Sequence, residues 1–281
     1  MNTFNDQVAA ITGAGSGIGR ALALNLARQG CHLALSDVNT QGLSETAKQA
    51  RALGVSVSEH AVNVADRQAV LAWAGQVVNE HGRVNMIFNN AGVAQGGTTE
   101  GNDFDDYEWI MSINFWGVVN GTKAFLPHIK ASGNGHIINI SSVFGLFAQP
   151  GMSAYNSSKF AVRGFTESLR QELDIGRYGI SASCVHPGGI KTNIANSARV
   201  NASMDNLTGT NPDNAKQQFN HLLKTTPEKA AQVILAGVLK NKRRILIGPD
   251  AYVIDLMQRL FPAFYQNIVT AAMRFAARRQ D

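Results

Sequence analysis

The sequence lacks the features that mark exported, membrane-spanning and metal-binding proteins. Its N-terminus has neither a basic start nor a long apolar stretch, so no secretory signal is expected, and no apolar run approaches the ~18 residues of a membrane span. It has only two cysteines, Cys31 and Cys184, and both lie in apolar runs typical of strands, which predicts buried free thiols in a reducing cytoplasm. Its seven histidines are scattered along the chain, so no metal site is expected.

The chain also lacks the charge pattern of a nucleic-acid-binding protein. Its net charge of +5 comes entirely from residues 240–281, which carry eight basic and three acidic side chains, while residues 1–239 hold 17 of each sign. No stripe of interleaved aromatic and basic residues appears, so no nucleic-acid partner is expected. A length of 281 residues with 44% hydrophobic content instead predicts one large α/β domain.

What the sequence does contain is a tyrosine and a lysine four residues apart, Tyr155 and Lys159, with Ser142 upstream. On a helix, residues i and i+4 share a face, so the lysine ammonium would lie beside the phenol. A nearby cation lowers the pKa of a phenol from about 10 and makes it usable as an acid or base near neutral pH. Ser142 follows a strand-like run and could hydrogen-bond the same substrate oxygen. An isolated pair of this kind is more often a packed aromatic beside a solvated lysine, so the interpretation needs support from elsewhere.

That support comes from a glycine-rich turn near the N-terminus. The apolar run 8–12 is followed by Gly13, Gly17 and Gly19 and then by an apolar helical face. A strand, a glycine turn and a helix together place backbone N–H groups and a helix N-terminus against a pyrophosphate. The next strand-like run ends in Asp37, whose carboxylate can accept both hydroxyls of an adenosine ribose and would repel a 2′-phosphate. This arrangement predicts a dinucleotide site that favours NAD over NADP.

With both ends considered, the chain resembles the classical short-chain dehydrogenase/reductase family. The resemblance runs from about Val8 to Gly248, with the motifs in the family's order. It implies an α/β fold of Rossmann type, with a doubly wound parallel sheet in a single domain, and the activity of an NAD(P)-dependent oxidoreductase. One departure is Asn63, which stands where the family usually has an aspartate beside the adenine. The motifs that carry the resemblance are Thr12-Gly13-x-x-x-Gly17-x-Gly19, Asn89-Asn90-Ala91-Gly92, Asn114, Ser142, Tyr155-x-x-x-Lys159, Pro187-Gly188 and Thr192.

The resemblance also implies a role for each of these residues. Tyr155 would be the general acid/base, Lys159 would lower its pKa and bind the nicotinamide ribose, and Ser142 would position the substrate oxygen. Asn114 would complete the catalytic set by holding a water that connects Lys159 to solvent. The predicted substrate contacts are Ser142, Phe144, Gln149 and Tyr155, and the predicted cofactor contacts are Gly13, Ser16, Gly17, Ile18, Gly19, Asp37, Asn63, Val64, Asn90, Ala91, Gly92, Tyr155, Lys159, Pro187, Gly188, Ile190 and Thr192.

Beyond Gly248 the chain continues past the family core. We expect residues 1–248 to form the catalytic domain, with a polar substrate loop at about 190–226, and residues 249–281 to form a basic helical extension. Two amphipathic helical segments are predicted there, separated at Pro262. Their apolar faces could dock onto a partner subunit, cover the substrate cleft or lie on an anionic bilayer, and docking is the more common fate of such a face.

The substrate is expected to be apolar, because the residues that follow the motifs around the predicted cleft are mostly apolar and no arginine is placed to clamp a carboxylate. We expect a hydrophobic secondary alcohol or ketone, with alcohol oxidation as the direction. The family resemblance also implies a homodimer or homotetramer, paired through the helices that carry Asn114 and Tyr155.

Two other functions were weighed against this one. A nucleotide-binding regulator that has lost its chemistry would keep the glycine turn without the proton-transfer residues, and all four of those are present. A nucleotide-sugar epimerase or dehydratase of the extended relatives is opposed by the spacing of the glycines and by the lack of a long C-terminal domain.

Overall fold

The computed structural model describes residues 3–194, 197–204 and 223–277, and its centre is a seven-stranded parallel sheet. A second, two-stranded parallel sheet joins the segment after β4 to the predicted substrate loop. The strands are β1 Val8–Thr12, β2 His32–Asp37, β3 Val57–Ala61, β4 Met86–Asn89, β5 Gln95–Gly96, β6 Gly135–Ile140, β7 Ile180–Pro187, β8 Arg199–Val200 and β9 Arg244–Ile247.

The order of the strands in the large sheet is β3-β2-β1-β4-β6-β7-β9. The chain builds outwards from β1 to β3, then crosses back to place β4 on the other side of β1. This confirms the predicted α/β Rossmann-type fold with a doubly wound parallel sheet. The helices between and after the strands are α1 Gly17–Ala27, α2 Thr40–Arg51, α3 Arg67–His81, α4 Phe104–Met111, α5 Gly117–Ala131, α6 Ser153–Gly176, α7 Pro227–Leu239, α8 Pro249–Leu260 and α9 Tyr265–Ala277, with a π-helical turn at Ser112–Trp116 and a 3₁₀ turn at Val143–Gly145.

Helices cover both faces of the sheet, which explains why its central strands are continuous apolar runs rather than alternating ones. Every residue of β1, β4 and β6 is buried. On one face, Leu22 and Leu26 of α1 pack with Ile234 of α7. On the other, Trp73 of α3 meets Phe125 of α5 edge to face, with the ring centroids 4.9 Å apart. The packed sheet therefore fixes the points from which the loops at its carboxyl edge project.

The reversal of strand order between β1 and β4 opens a crevice at that carboxyl edge, where ligands bind in open α/β sheets. The loops that follow β1, β2, β4, β6 and β7 all reach this edge, because the strands are parallel. These loops contain the glycine turn, Asp37, the Asn-Asn-Ala-Gly motif, Ser142 and Pro187-Gly188.

The C-terminal extension consists of α8 and α9, separated at Pro262 as predicted. Its inner side docks onto the domain, where Ala251 and Tyr265 are buried beside Val143 and Phe147. Its outer side leaves apolar side chains exposed, namely Tyr252, Val253, Leu256, Leu260, Phe261, Phe264 and Ile268. Within the described ranges, no helix is long and apolar enough to cross a bilayer.

Parts of two predictions lie outside the described residues. Residues 195–196 and 205–222, which belong to the polar stretch expected as the substrate loop, are among them, and so are the terminal basic residues Arg278 and Arg279. The proposed division of the chain at residue 248 stays a prediction.

Candidate active site

Ser142 lies just beyond the carboxyl end of β6, where the strand gives way to the 3₁₀ turn Val143–Gly145. Its hydroxyl oxygen accepts a hydrogen bond from the Phe144 backbone N–H at 3.2 Å and so caps that turn. The His186 ring, from the neighbouring strand β7, lies 2.9 Å from the Ser142 carbonyl oxygen through Nδ1. Burial lowers the pKa of His186 to about 4, so the ring is neutral at pH 7 and Nδ1–H can donate to that carbonyl. Ser142 is therefore fixed on two sides.

Tyr155 and Lys159 lie in the first two turns of α6, on the same face of the helix as their spacing predicts. Both are buried, and the Tyr155 hydroxyl hydrogen-bonds the Ser142 side chain. The Lys159 Nζ donates to the Ile140 carbonyl oxygen at 3.1 Å and lies 5.7 Å from the centroid of the Tyr155 ring. The structure thus brings together the three residues that the sequence singles out first.

The protonation of this group differs from the expectation. Burial raises the pKa of Tyr155 to about 12, and its hydrogen bond with Ser142 opposes that rise only in part. Burial also lowers the pKa of Lys159 to about 8. The prediction that Lys159 holds the tyrosine pKa below its usual value is therefore wrong for the protein alone, because loss of solvent disfavours the phenolate and the ammonium together.

Asn114 lies fully buried in the π-helical turn between α4 and α5. Its amide pairs with the backbone of Val93, accepting from the N–H at 2.8 Å and donating to the carbonyl at 2.9 Å. It also approaches the Ser158 hydroxyl at 3.2 Å. A Cβ added at Gly92 would lie 3.2 Å from Asn114 Oδ1 and 3.4 Å from Lys159 Nζ, so the amide and the ammonium border one small space. The predicted water relay between them stays a prediction.

The glycine turn after β1 has the geometry that a phosphate cradle needs. Gly13 and Gly17 have φ values of +65° and +51°, a region that other residues rarely adopt. A Cβ at Gly19 would overlap the Gly13 carbonyl oxygen. Ser16 precedes the first turn of α1 without capping it by its side chain, so the helix N-terminus opens towards the crevice. Ile18 lies beside it, half-buried against the core.

Asp37 is the last residue of β2, and its side chain holds the glycine turn in place. Its carboxylate accepts from the Gly15 N–H at 2.8 Å and from the Asn39 N–H at 2.9 Å. The next residue, Val38, has 69% of its surface exposed and carries no charge. Arg20 is the nearest basic side chain in the motif, and it is committed elsewhere, because its guanidinium donates to the Gly15 carbonyl at 2.6 Å, the Gly42 carbonyl at 3.2 Å and the Thr46 hydroxyl at 2.9 Å.

The Asn-Asn-Ala-Gly segment after β4 is tied to the glycine turn through Thr12. The Thr12 hydroxyl accepts from the backbone N–H groups of Asn90 and Ala91, each at 3.0 Å. The Asn90 amide in turn donates to the Thr12 carbonyl at 2.9 Å. On the side predicted for the adenine, Asn63 is exposed and its Oδ1 accepts from the Ala65 N–H at 3.1 Å, while Val64 is buried. Asn63, which stands where the family usually has an aspartate, therefore uses its side chain to stabilise a local turn.

The Pro187-Gly188 segment after β7 approaches the glycine turn from the opposite wall. The Thr192 methyl lies 3.1 Å from where a Cβ on Gly17 would be, so the two loops touch across the crevice. Ile190, predicted as a cofactor contact, has its side chain in the hydrophobic core. Asp250, which the sequence reading missed, accepts from the Gly189 N–H at 2.7 Å and leaves no room for a side chain at Gly188. No local motif signals that contact.

The side of the site predicted for the substrate is apolar next to the Tyr155 hydroxyl. The Phe144 ring meets the Tyr155 ring edge to face, with the centroids 6.0 Å apart. Val93 and Met152 pack in the same cluster. Gln149 is half-buried and its backbone carbonyl accepts from the Asn156 amide at 2.8 Å, so its main chain is fixed against α6.

The comparisons with known proteins agree with this geometry. The family model "short chain dehydrogenase" matches residues 7–203. SadH of Mycobacterium tuberculosis (strain H37Rv), named as an oxidoreductase, is 50% identical over 273 residues, which is 97% of this chain and 97% of SadH. Estradiol 17-beta-dehydrogenase 11 of Rattus norvegicus is 30% identical over 264 residues, covering 94% of this chain and 82% of that protein.

Among solved structures, a short-chain dehydrogenase/reductase from Burkholderia phymatum in complex with NAD is 30% identical, with a TM-score of 0.84 over 92% of this chain and 95% of that one. Sequence motifs, strand order and relatives all point the same way. The chain belongs to the short-chain dehydrogenase/reductase family and is an oxidoreductase of that family.

Proposed function

We propose that the protein transfers a hydride between NAD and a hydrophobic secondary alcohol or ketone, with Tyr155 as general acid/base. The observation that carries this proposal is the convergence of Ser142, Tyr155 and Lys159 beside a crevice lined by a glycine turn. Proton transfer to or from a carbinol oxygen needs one hydroxyl to exchange the proton and another to orient the oxygen. Oxidation of the alcohol is the direction we favour.

The residues around the crevice fit a dinucleotide. Its pyrophosphate would lie against the glycine turn and the N-terminus of α1, where added side chains would collide with backbone. Asp37 would accept the hydroxyls of the adenosine ribose, and the segment from Asn90 to Gly92 would border the nicotinamide half. When bound, the nicotinamide accepts or supplies the hydride, and the protein supplies orientation and electrostatics.

In this proposal the buried phenol of Tyr155 is an acid in its resting form, because its pKa of about 12 keeps it protonated at pH 7. It donates its proton to the carbonyl oxygen during reduction. For oxidation the phenol first releases its proton to solvent, and the resulting phenolate then takes the proton of the alcohol hydroxyl. Ser142 holds that oxygen in place. The ammonium of Lys159 remains largely protonated below pH 8 and stabilises negative charge as it develops on the phenol oxygen.

The preference for NAD over NADP rests on charge. A 2′-phosphate would meet the Asp37 carboxylate, and the exposed residues Ser16 and Val38 offer no compensating cation. Arg20 already donates to two carbonyls and a hydroxyl.

The preference for an apolar substrate rests on the wall beside Tyr155, which is formed by Phe144, Val93 and Met152. A relative supports it, since the name of estradiol 17-beta-dehydrogenase 11 gives an apolar secondary alcohol as that protein's substrate.

We also propose a homodimer or homotetramer paired through α5 and α6. Trp116, the last residue of the π-helical turn before α5, is 47% exposed and Phe160 of α6 is 38% exposed, as expected for a face that another subunit covers. Light scattering on the purified protein tests this assembly. Anionic lipid is the second partner we propose, in peripheral contact with the exposed side of α8 and α9. Co-sedimentation with anionic and neutral vesicles tests this contact.

Replacement of Tyr155 by Phe tests the proposed function. The variant keeps the ring and loses only the proton donor, so kcat should fall by about 10³-fold while NADH affinity stays within about twofold. Turnover would be followed by NADH absorbance over a panel of alcohols and ketones, and affinity by NADH fluorescence. Tyr252→Phe is the matched control, because it makes the same change at a side chain of α8 that is 57% exposed. An unchanged rate in Tyr155→Phe would refute the assigned role.

A further inference from the structure

A row of aromatic rings connects the proposed catalytic tyrosine to the C-terminal extension. The row begins with Tyr155 and Phe144, whose centroids are 6.0 Å apart, and continues from Phe144 to Phe147 at 5.3 Å. It ends at Tyr265, the first residue of α9, whose ring lies edge to face against Phe147 at 6.1 Å. Each step has the spacing of a favourable aromatic pair.

Tyr265 differs from its neighbours in α9. Only 6% of its surface is exposed, whereas Gln266, Asn267 and Ile268 are exposed. Its hydroxyl oxygen accepts a hydrogen bond from the backbone N–H of Ala148 at 3.1 Å. That bond holds the far end of the segment Val143–Ala148, and Ser142 holds its near end.

A second connection joins the extension to the helix that carries Tyr155 and Lys159. Asp255 of α8 accepts from Arg244 of β9 at 2.8 Å, and Arg244 also donates to Glu167 of α6 at 2.8 Å. Asp255 is nearly buried, with 9% of its surface exposed. Such a charge is stable only while it stays paired, so the chain of ion pairs holds α8 in one place relative to α6.

We propose that Tyr265 is a positioning residue for the substrate side of the site. It fixes the segment Val143–Ala148. Through Phe147 and Phe144 it also sets the depth of the apolar pocket beside Tyr155. The inference rests on the proposed function, since it assigns to the extension the choice of substrate size for that same reaction. The chemical class concerned is secondary alcohols and ketones with a bulky apolar group beyond the reacting carbon.

The proposal is tested by comparing Tyr265→Ala, Tyr265→Phe and Ile268→Ala. Ile268 lies on the same helix, is apolar and is 43% exposed, so its replacement controls for a general effect on α9. Kinetics would be measured on a series of secondary alcohols of rising chain length, with NADH affinity followed by fluorescence. Hydrogen–deuterium exchange would be measured for the peptide that contains Val143–Ala148.

Tyr265→Ala should lower kcat/KM for the preferred alcohol by about tenfold and move the optimum to a longer chain, because removal of the ring deepens the pocket. Tyr265→Phe loses one hydrogen bond and should cost about fivefold or less without moving the optimum. NADH affinity should stay unchanged in both variants, and exchange in the Val143–Ala148 peptide should rise in Tyr265→Ala. Ile268→Ala should match the wild type in every measurement.

Three results would overturn the proposal. The first is an unchanged chain-length optimum in Tyr265→Ala, whether or not its stability falls. The second is a loss of NADH affinity in Tyr265→Ala as large as its loss of kcat/KM, which would mean that the extension acts on the cofactor site. The third is unchanged exchange in the Val143–Ala148 peptide. A wild-type protein with no turnover on any alcohol would instead refute the proposed function, and the exchange measurement would still report on the role of Tyr265.

Discussion

At the nucleotide end of the crevice, the backbone of short turns defines the site, whereas at the substrate end the wall is made of side chains from distant segments. Gly13 and Gly17 shape the first region through their own φ angles. The second depends on contacts such as Ala148 with Tyr265, which lie 117 residues apart in the chain. A local sequence pattern can therefore specify the cofactor end, and only the folded chain specifies the substrate end.

This difference indicates which part of the site can change while the fold stays intact. A backbone cradle tolerates almost no change, since a Cβ at Gly19 or Gly13 meets the facing loop. A wall of aromatic side chains can change one residue at a time with the fold intact. The same sheet can in this way keep one cofactor and present different substrate sites, as expected when function resides in sites built on a common fold.

The largest effect is expected from adding one methyl group to the glycine turn. A Cβ at Gly19 would overlap the Gly13 carbonyl oxygen and lie 2.7 Å from the Asn90 amide nitrogen. Gly19→Ala should therefore weaken NADH binding by about 100-fold or more, since it displaces the loop that faces the pyrophosphate. Fluorescence titration measures the affinity, and circular dichroism checks that the variant is folded.

Gly75→Ala is the control, because nothing lies within 4 Å of a Cβ at this position in α3. It should bind NADH like the wild type and gain about 0.5–1 kcal/mol in free energy of unfolding. A folded Gly19→Ala variant with wild-type affinity would contradict the account of the cradle.

A smaller change at the same end should alter which cofactor is preferred. Asp37→Ser with Val38→Arg removes the carboxylate and adds a cation where a 2′-phosphate would lie. The ratio of kcat/KM for NAD to that for NADP should fall by about 100-fold. Affinity for both cofactors should also drop, because Asp37 holds the N–H groups of Gly15 and Asn39.

Val38→Arg alone is the matched control for this pair. It leaves the carboxylate in place and should shift the ratio by about tenfold or less. If the double variant keeps the original ratio, Asp37 does not select the cofactor.

The sequence predicted the fold and the helix face that Tyr155 and Lys159 share, because both depend on short spacings. The i, i+4 pair of Tyr155 and Lys159 lies on one helix face, and the strand-glycine-helix pattern lies at the crevice. The break of the extension at Pro262 was readable for the same reason, since proline ends a helix.

Contacts between distant segments could not be read in the same way. The hydrogen bonds of Arg20 to Gly42 and Thr46, the support of Gly189 by Asp250 and the placement of Tyr265 each join segments that no motif links. The side chain of Ile190 lies in the core although its position in the motif suggested a cofactor contact. The pKa of Tyr155 was mispredicted because the sequence indicates the neighbouring charge but not the depth of burial.

The smallest expected effect follows from the burial of Lys159 and concerns the stability of the protein rather than catalysis. Its pKa in the folded protein, about 8, lies below the ordinary lysine value of 10.5, so between these pH values the unfolded chain binds more protons. The free energy of unfolding contributed by this group therefore rises with pH across that window, and at pH 7 the buried ammonium destabilises the fold. Lys159→Met should accordingly be more stable than the wild type by about 1–3 kcal/mol at pH 7, although inactive.

The difference in unfolding free energy between wild type and Lys159→Met isolates this lysine, and it should shrink as pH rises from 8 to 10.5. The comparison is needed because burial raises the pKa of Cys31 and of Cys184 to about 12, which lowers the stability of both proteins above pH 9. Urea unfolding at pH 7, 8, 9 and 10 supplies the values, and Lys48→Met, at an exposed position of α2, should differ little from the wild type throughout. A pH-independent difference would mean that the ammonium carries no burial penalty, and the substrate end would then differ from the cradle in its packing but not in its electrostatics.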